Sequence, residues 1–507
     1  VSAYTSLTHP DVVVLRRAGR AKPRVMYRVE GVEHIWGAHN NDLTTLTTGI
    51  MTRIMYVKGR NGHVPPPQPA PGVVQRLAPT LRRLKRTCAK LPPMSPEEFV
   101  SCYKGRKQRI YQEAAESVLR SPITPRDAVL SSFLKYEKIN FKAKKNPDPR
   151  IINPRKPRYN FAVGRYIKRI EHRVYKELDD AFHDLGCTSR SVAKGLNFEQ
   201  RAWMLRRKWL RFRRPRAIML DCSRFDQHVR RQLLELEHQY YLAWFNGSDR
   251  RELAYLLRMQ LRNKGVACCP DGIVKFTVDG MRASGDMNTA LGNVFQVCLA
   301  LLHLREQFSF EVADDGDDCV VMCEEEDLAA LQLALVNLFT DMGHELRVDG
   351  VTDVFERIRF CQCQPVFDGH RWTMVRDPHI SVSKDLTSTW DLSNPETFAV
   401  YMKTIGTAGL HLAGGIPVWD ALYRRMIVVG GDAKVSDGDP GLESGFMIHS
   451  RLMDRSHRVV TDDARVSFWR AFNIDPATQL SIEGYFQDRL YHGAVADTGI
   501  VLPGLVI

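Results

Sequence analysis

Long apolar runs are scarce in this chain of 507 residues. The longest, around Val294 to Leu304, is too short to cross a bilayer, so no membrane-spanning helix is expected. No signal peptide is visible either. The 11 cysteines are odd in number and none are spaced as Cys-x-x-Cys. Cys268-Cys269, Cys319 with Cys323, and Cys361 with Cys363 match no zinc framework. Reduced thiols in a cytosolic protein are the expectation. Negative charge is in deficit: 58 Asp and Glu stand against 72 Lys and Arg, a net charge of +14. That balance points to a polyanionic partner, either nucleic acid or an anionic membrane surface; charge alone is also met by a merely soluble basic protein. With 44% hydrophobic and 26% charged residues, the chain is globular, not disordered. Its length suggests about two to four subdomains. The first residue is Val1, not Met, which suggests a truncation or the downstream part of a longer translation product.

Residues 1 to about 63 are mixed, with short β-like runs such as Val12 to Leu15. Val64 to Gly72 (VPPPQPAPG) reads as an extended spacer. From Val73 to about Arg216 the chain is basic and mostly helical in pattern. Gln112 to Leu119 has an amphipathic period, stopped by Ser121-Pro122. Ala217 to Leu220 is a short apolar run, read as a buried strand. Asn288 to Leu304 reads as a buried helix. Phe308 to Val312 and Cys319 to Cys323 flank a loop of aspartates, which predicts a hairpin with Asp315-Gly316 at the turn. Leu328 to Phe339 reads as a helix, and Phe360 to Val366 and Trp372 to Val375 as strands. Asn394-Pro395-Glu396 opens a further helix with a cap, a first-position Pro and a first-turn acid.

Two carboxylate groups carry chemistry. Asp221 follows the apolar strand directly, and Asp226 lies five residues on. Gly316-Asp317-Asp318 sits at the predicted hairpin tip. If both strands share a sheet, their ends can meet, as phosphoryl transfer between nucleotides requires. There, two divalent ions ~3.5–4 Å apart align the attacking and leaving oxygens. Magnesium takes oxygen ligands and keeps several waters, so a few carboxylates suffice. Asp221 and Asp317 are the main candidate ligands and Asp318 an auxiliary one. An exposed acidic turn is the plainer explanation of either motif alone. Context strengthens the case, because a third motif lies between them: Gly280-Met-Arg-Ala-Ser284-Gly285-Asp-Met-Asn288-Thr289-Ala-Leu-Gly292-Asn293. A Gly-rich turn leading into a helix lets backbone approach a nucleotide or template. The amide of Asn288, like Asp226, can hydrogen-bond a ribose 2′-OH; a helix N-cap explains Asn288 as well.

The ordered set Asp221…Asp226, Ser284-Gly285…Asn288-Thr289 and Gly316-Asp317-Asp318 resembles motifs A, B and C of viral RNA-dependent RNA polymerases. The likeness is strongest to the Tombusviridae replicases (carmovirus-like and umbravirus-like). It is carried also by SGDMNTALGN, FCQCQPVFDG (Phe360 to Gly369) and PRIINPRKPRYNFAVGRYIK (Pro149 to Lys168). The resemblance covers about residue 30 to at least 370. It implies an α+β right-hand polymerase of fingers, palm and thumb, the palm being an antiparallel sheet flanked by helices. The divisions implied are an N-terminal extension and Pro-rich linker (1–72), fingers (73–216), a palm (217–375) with an inserted fingers segment at about 242–278, and a helical thumb (376–507). It implies metal ligation by Asp221, Asp317 and Asp318 with Mg²⁺ or Mn²⁺. Nucleotide contact is implied for Asp226, Ser284, Asn288 and Thr289. RNA contact is implied for Gly285 and for Cys361 and Gln362 in a primer-grip hairpin; plain packing explains that strand equally well.

Lys138 to Arg158 holds eight basic residues and one acid, broken by prolines, so it reads as an irregular ribbon. It resembles motif F, which places positive charge over an incoming triphosphate. Arg150 is the best match, with Lys135, Lys144 and Lys145 near it and Arg155 toward RNA. A solvated basic loop is the alternative. Thr124-Pro125-Arg126-Asp127 resembles the template-channel motif G. Arg201 to Arg216 carries eight basic residues with interleaved aromatics; it suits RNA binding or a charged helix with aromatics packed inward. Two departures from the family pattern stand out. Asp314 and Asp315 precede the Gly-Asp-Asp, and they are not expected to touch metal. The motif D segment lacks its usual Lys, leaving His344 or Arg347 as proton donor.

The expected activity is primer-independent RNA synthesis on a positive-strand viral RNA. Expected partners are template and nascent RNA, NTPs, and a membrane-anchored viral replicase protein or fused upstream segment. The expected location is a membrane-associated replication complex in host cytoplasm, with host membrane contacted only indirectly. A reverse transcriptase or DNA polymerase of the same palm fold, and an inactive RNA-binding scaffold, are the competing readings.

Overall fold

The computed structural model describes residues 1–144, 146–436, 444–490 and 494–496. Its centre is the strand Pro215–Ser223, in which Ala217 to Leu220 are all buried. The apolar run arises because both faces are covered. Ile218 and Leu220 face a core built with the helix Thr289–Leu304 and the long helix Pro157–Asp184. Ala217 and Met219 face the opposite core, shared with the helix Phe198–Trp209 and the hairpin strands Cys363–Phe367 and Trp372–Arg376. The alternation has the two-residue period of a strand.

Four antiparallel strands make this sheet, in the order Glu311–Asp314, Asp318–Glu324, Pro215–Ser223, Glu345–Thr352. The predicted acidic hairpin is therefore present and lies beside the central strand. Its first strand begins at Glu311, not Phe308, because the chain from Leu304 to Phe308 is still closing the preceding helix: Arg305 donates to the Phe308 carbonyl at 3.1 Å. Its second strand starts one residue earlier than expected, which puts Asp318 into the ladder.

A second sheet of five strands joins distant segments. Val12–Arg16, Gly272–Asp279 and Arg262–Cys269 run antiparallel; Leu130–Leu134 then joins in parallel and Ile151–Ile152 closes the edge. The N-terminal 72 residues thus do not stand off as an extension. Tyr27–Val29 pairs with Thr387–Ser388 and Ala494–Ala496, and the Trp36 indole donates to Ser383 Oγ at 3.0 Å. Residues 65–70 of the Pro-rich spacer form no regular element and lie on the body, with Ala70 N–H donating to the Asp341 carbonyl at 2.6 Å.

From Pro378 to Arg489 the described residues are mostly helical. Pro395–Ala413 begins at Asn394, whose side chain caps Thr397 N–H at 3.0 Å. It packs with Trp419–Val429, Asp462–Phe472 and Pro476–Arg489 around Met402, Leu422, Phe468 and Phe486. The strand expected from Phe360 starts only at Cys363. Cys361 and Gln362 both have positive φ, 51° and 61°, and turn the chain so that Phe360 and Cys363 exchange backbone hydrogen bonds at 2.9 and 3.0 Å. No helix among the described residues is long and apolar enough to cross a membrane.

Candidate active site

Strand register brings the two acidic motifs together. Asp318 is the direct partner of Asp221 on one side, and Arg347 is its partner on the other. Cross-strand partners share a face, so Arg347, Asp221 and Asp318 form one row across three strands. Asp317 is exposed at the hairpin tip. Gly316, at φ 100°, supplies the left-handed step that lets Asp315 N–H reach the Asp318 carbonyl at 2.9 Å.

The acids feel one another. Loss of water around Asp318, then the charges of Asp317, Asp315 and Asp221, push its carboxyl up to about 6. Burial, then Asp349, raises Asp221 as well, with Asp317 adding to the effect. Carboxylates crowded this way are relieved by a cation. The donor set is all oxygen, which suits a hard divalent ion such as Mg²⁺ or Mn²⁺. Among the described residues, no three acidic, His or Cys side chains converge tightly enough to hold a metal ion as they stand. The fit therefore rests on donor chemistry and mutual repulsion.

The hairpin's four aspartates have separate fates. Asp314 is fully buried, with its carboxyl raised well above the usual range by burial. One oxygen accepts from Gly316 N–H at 3.3 Å; the other has no hydrogen-bond partner among the described residues. Asp315 turns away from the row and pairs with Lys194 at 2.8 Å and Arg201 at 2.9 Å. Burial would raise it, but these two cations hold it below the usual range. Only Asp317 and Asp318 remain free to face a ligand together with Asp221.

The turn before the helix Thr289–Leu304 is fastened from both ends. Ser284 Oγ accepts from Asn153 N–H at 3.2 Å, and Thr289 Oγ donates to the Ala283 carbonyl at 2.9 Å. A Cβ on Gly285 would come within 2.5 Å of the Pro154 Cα, so this glycine permits a close backbone crossing. Asn288 is not at the site's surface. It is fully buried, and its amide is satisfied by Gln260 (2.9 Å) and Glu237 (3.2 Å). The amide that reaches Asp226 belongs to Asn293, which donates to Asp226 Oδ1 at 3.0 Å. Burial raises the Asp226 carboxyl, and the Asn293 hydrogen bond opposes that rise. Sequence reasoning missed Asn293. The signal was its spacing, one helical turn past Thr289 and so on the same helix face.

Among the basic residues, Arg150 is exposed and contacts Glu137 at 3.2 Å. Lys135 contacts the same carboxylate at 2.9 Å, so Glu137, also unforeseen, gathers both cations. Lys144 is exposed and close enough to bias the Asp221 carboxyl downward. Lys145 lies outside the described residues. Arg155 is not available to RNA: it is buried, clasped by Asp286 (Nη2 at 3.1 Å) and Asn263 (2.7 Å). It ties the basic ribbon to the turn before Asn288. Thr124 caps the short turn Pro125–Ala128 through Asp127. Cys361 Sγ lies 3.3 Å from Asp315 Oδ2, while Gln362 is exposed. In the Arg201 to Arg216 segment, Trp209 is buried and Trp203 exposed, and Lys208 is fully buried against Glu311 at 3.0 Å. His344 cannot reach the row. It is buried and stacked on Phe225 at 4.5 Å, and burial lowers its imidazole to about 3. Arg347 does lie in the row, held by Glu345 on its own strand.

An antiparallel sheet with paired acids at its rim, beside a basic ribbon, is the arrangement of nucleic-acid polymerases. The family model described as viral RNA dependent RNA polymerase matches residues 12–491, and the chain belongs to that family. Relatives include the RNA-directed RNA polymerases of Tobacco necrosis virus (strain A), Turnip crinkle virus and Carnation mottle virus, each 38% identical to this chain. The first match covers 94% of this chain and 66% of the relative; the second covers 95% and 62%, the third 94% and 62%. The chain therefore spans a little under two thirds of the length of these relatives.

Proposed function

We propose that this chain is the catalytic part of an RNA-dependent RNA polymerase that copies a positive-strand viral RNA by template-directed addition of ribonucleotides, without need of a primer. One observation carries the reading: the register that sets Asp221 directly across from Asp318, with Asp317 at the adjoining tip. Membership of the family supports it. In this reading the four-stranded sheet and its helices, within residues 217–375, are the palm, and the segment at about 242–278 belongs to the fingers. Residues 73–216 form the rest of the fingers and 376–507 the thumb, with 1–72 lacing the two together.

Asp221, Asp317 and Asp318 would hold Mg²⁺ or Mn²⁺. Divalent ions bound there would favour ionisation of the 3′-OH and neutralise charge on the phosphates. The chain's own groups do the rest. Arg150, Lys135 and Lys144 bring positive charge toward the triphosphate, where charge builds in the transition state; Lys145 is a further candidate from its place in the sequence alone. A triphosphate would compete with Glu137 for Arg150 and Lys135. Asp226 with Asn293 would read the ribose 2′-OH; a small carboxylate at this position, not a bulky aromatic, favours ribonucleotides over deoxynucleotides. Arg347, always protonated, is suited to stabilising charge beside Asp221 and poorly suited to donating a proton. Ser284, Gly285, Thr124, Cys361 and Gln362 lie on the turns that would line the RNA path. A membrane-anchored viral partner, or an upstream segment of a longer protein, would bring the enzyme to cytoplasmic replication complexes.

The test is incorporation of labelled NTPs on a virus-like RNA without primer, with Mg²⁺ or Mn²⁺, by this chain and by Asp317→Ala. Synthesis that needs template, metal and Asp317 supports the reading. Salt-sensitive RNA binding that is equal in both proteins, with no synthesis by either, would favour an inactive scaffold.

A further inference from the structure

A buried ionic hub stands behind the Asp226–Asn293 pair. Glu237, on the helix Arg231–Leu242, is fully buried. It takes a bidentate contact from Arg282, equally buried, with Nη1 to Oε1 at 2.8 Å and Nη2 on Oε2. The same carboxylate accepts from Tyr241 Oη (2.7 Å), Gln296 Nε2 (2.8 Å) and Asn288 Nδ2 (3.2 Å). Gly292 leaves the room: a Cβ there would lie 2.3 Å from Arg282 Nη2 and 2.5 Å from Glu237 Oε1.

Arg282 keeps further N–H donors beyond this bidentate contact. Its Nε–H donates to Asn293 Oδ1 at 2.9 Å. That contact fixes which end of the amide points where. With the oxygen held by a guanidinium, which only donates, the NH₂ must face Asp226, as its 3.0 Å contact shows. A free amide could turn over and set oxygen against carboxylate, which repels. An uncompensated charge at this depth is costly; Glu237 supplies most of the compensation for Arg282, and Asp226 adds to it.

We infer that Glu237 and Arg282 are positioning residues for sugar selection: they lock the Asn293 amide so that Asn293 and Asp226 present one fixed pattern to the 2′-OH of an incoming ribonucleotide. Neither touches the nucleotide; both act through Asn293. The inference rests on the polymerase reading above and deepens it.

A site built to bond a hydroxyl rejects the analogue that lacks it, and loses that power when its polar groups are no longer held. The test measures kcat/KM for single addition of an NTP and of the matching 2′-deoxy NTP by the full chain. The variants are Arg282→Met, Glu237→Gln, and the double variant Glu237→Leu with Arg282→Met. The double variant removes both charges at similar volume, which buried pairs often tolerate, so it keeps the test alive if a single variant fails to fold. The expected result is a loss of about tenfold in NTP-over-dNTP preference, the size of one well-made hydrogen bond, with dNTP addition nearly unchanged. Arg282→Lys, which restores a cation for Glu237 but offers no planar Nε–H, should keep the fold and still lose preference. Equal falls for NTP and dNTP would mean a merely structural role and overturn the inference, as would an unchanged ratio. If the unaltered chain adds no nucleotide on any template, the polymerase reading itself fails and the inference with it.

Discussion

Asp221 and Asp318 are direct partners on adjacent antiparallel strands, although 96 residues of chain separate them. Two carboxylates at this spacing destabilise one another unless a cation lies between them. Asp221→Asn and Asp317→Ala should each lower RNA synthesis by about a thousandfold or more, with RNA affinity nearly unchanged. A second readout avoids activity. Millimolar Mg²⁺ or Mn²⁺ should raise the melting temperature of the unaltered chain, and that rise should vanish in Asp221→Asn with Asp318→Asn. An equal rise in both proteins would place the ion elsewhere.

Neighbouring acids in the hairpin should respond in opposite ways. Asp315 is held by Lys194 and Arg201, so Asp315→Ala leaves two poorly solvated cations and should cost about 3 kcal/mol in denaturant unfolding. Asp314 is buried with a raised carboxyl, which favours its neutral form. Asp314→Asn keeps an oxygen for Gly316 N–H and should change stability by less than about 1 kcal/mol. Similar losses in both would mean that Asp314 is ionised.

Glu137 gathers Arg150 and Lys135. If these cations bind triphosphate, Arg150→Ala should raise KM for NTPs by about tenfold or lower kcat/KM by as much. Glu137→Gln should do the reverse or nothing, because it frees both cations. A higher KM in Glu137→Gln would show that the acid orients them instead.

His344 gives a pH signature in stability, not in catalysis. Its imidazole is lowered to about 3 by burial, with both ring nitrogens lacking partners among the described residues. Below about 6.5 the unfolded chain binds a proton here that the folded chain refuses, so stability falls as pH drops from about 6.5 toward 3. At pH 5 the loss from this residue is about 2 kcal/mol. His344→Phe should match the unaltered chain near pH 8, gain on it steadily toward pH 5, and still synthesise RNA with the same pH profile. Loss of the alkaline limb of that profile, where a proton donor is deprotonated, would restore His344 as proton donor.

Much of the scaffold was legible from local pattern. The apolar run before Asp221, the hairpin around Gly316-Asp317-Asp318 and the Asn394-Pro395-Glu396 cap each depend on residues within a few positions of one another. Steric and hydrogen-bonding rules act at that range, so the letters alone determined these elements and the order of the acidic motifs. Tertiary structure decided which side chains are free to act. Asn288 and Arg155 read as ligand contacts, yet Gln260 and Glu237 take up the first and Asp286 and Asn263 the second. Asp315 and Asp317 are two residues apart in the same acidic run, but Lys194 and Arg201 neutralise only Asp315. His344 differs from an exposed histidine only by the Phe225 ring and the core around it. In each case the deciding partner lies far away along the chain, and burial and charge pairing are properties of the packed neighbourhood, which no local spacing encodes.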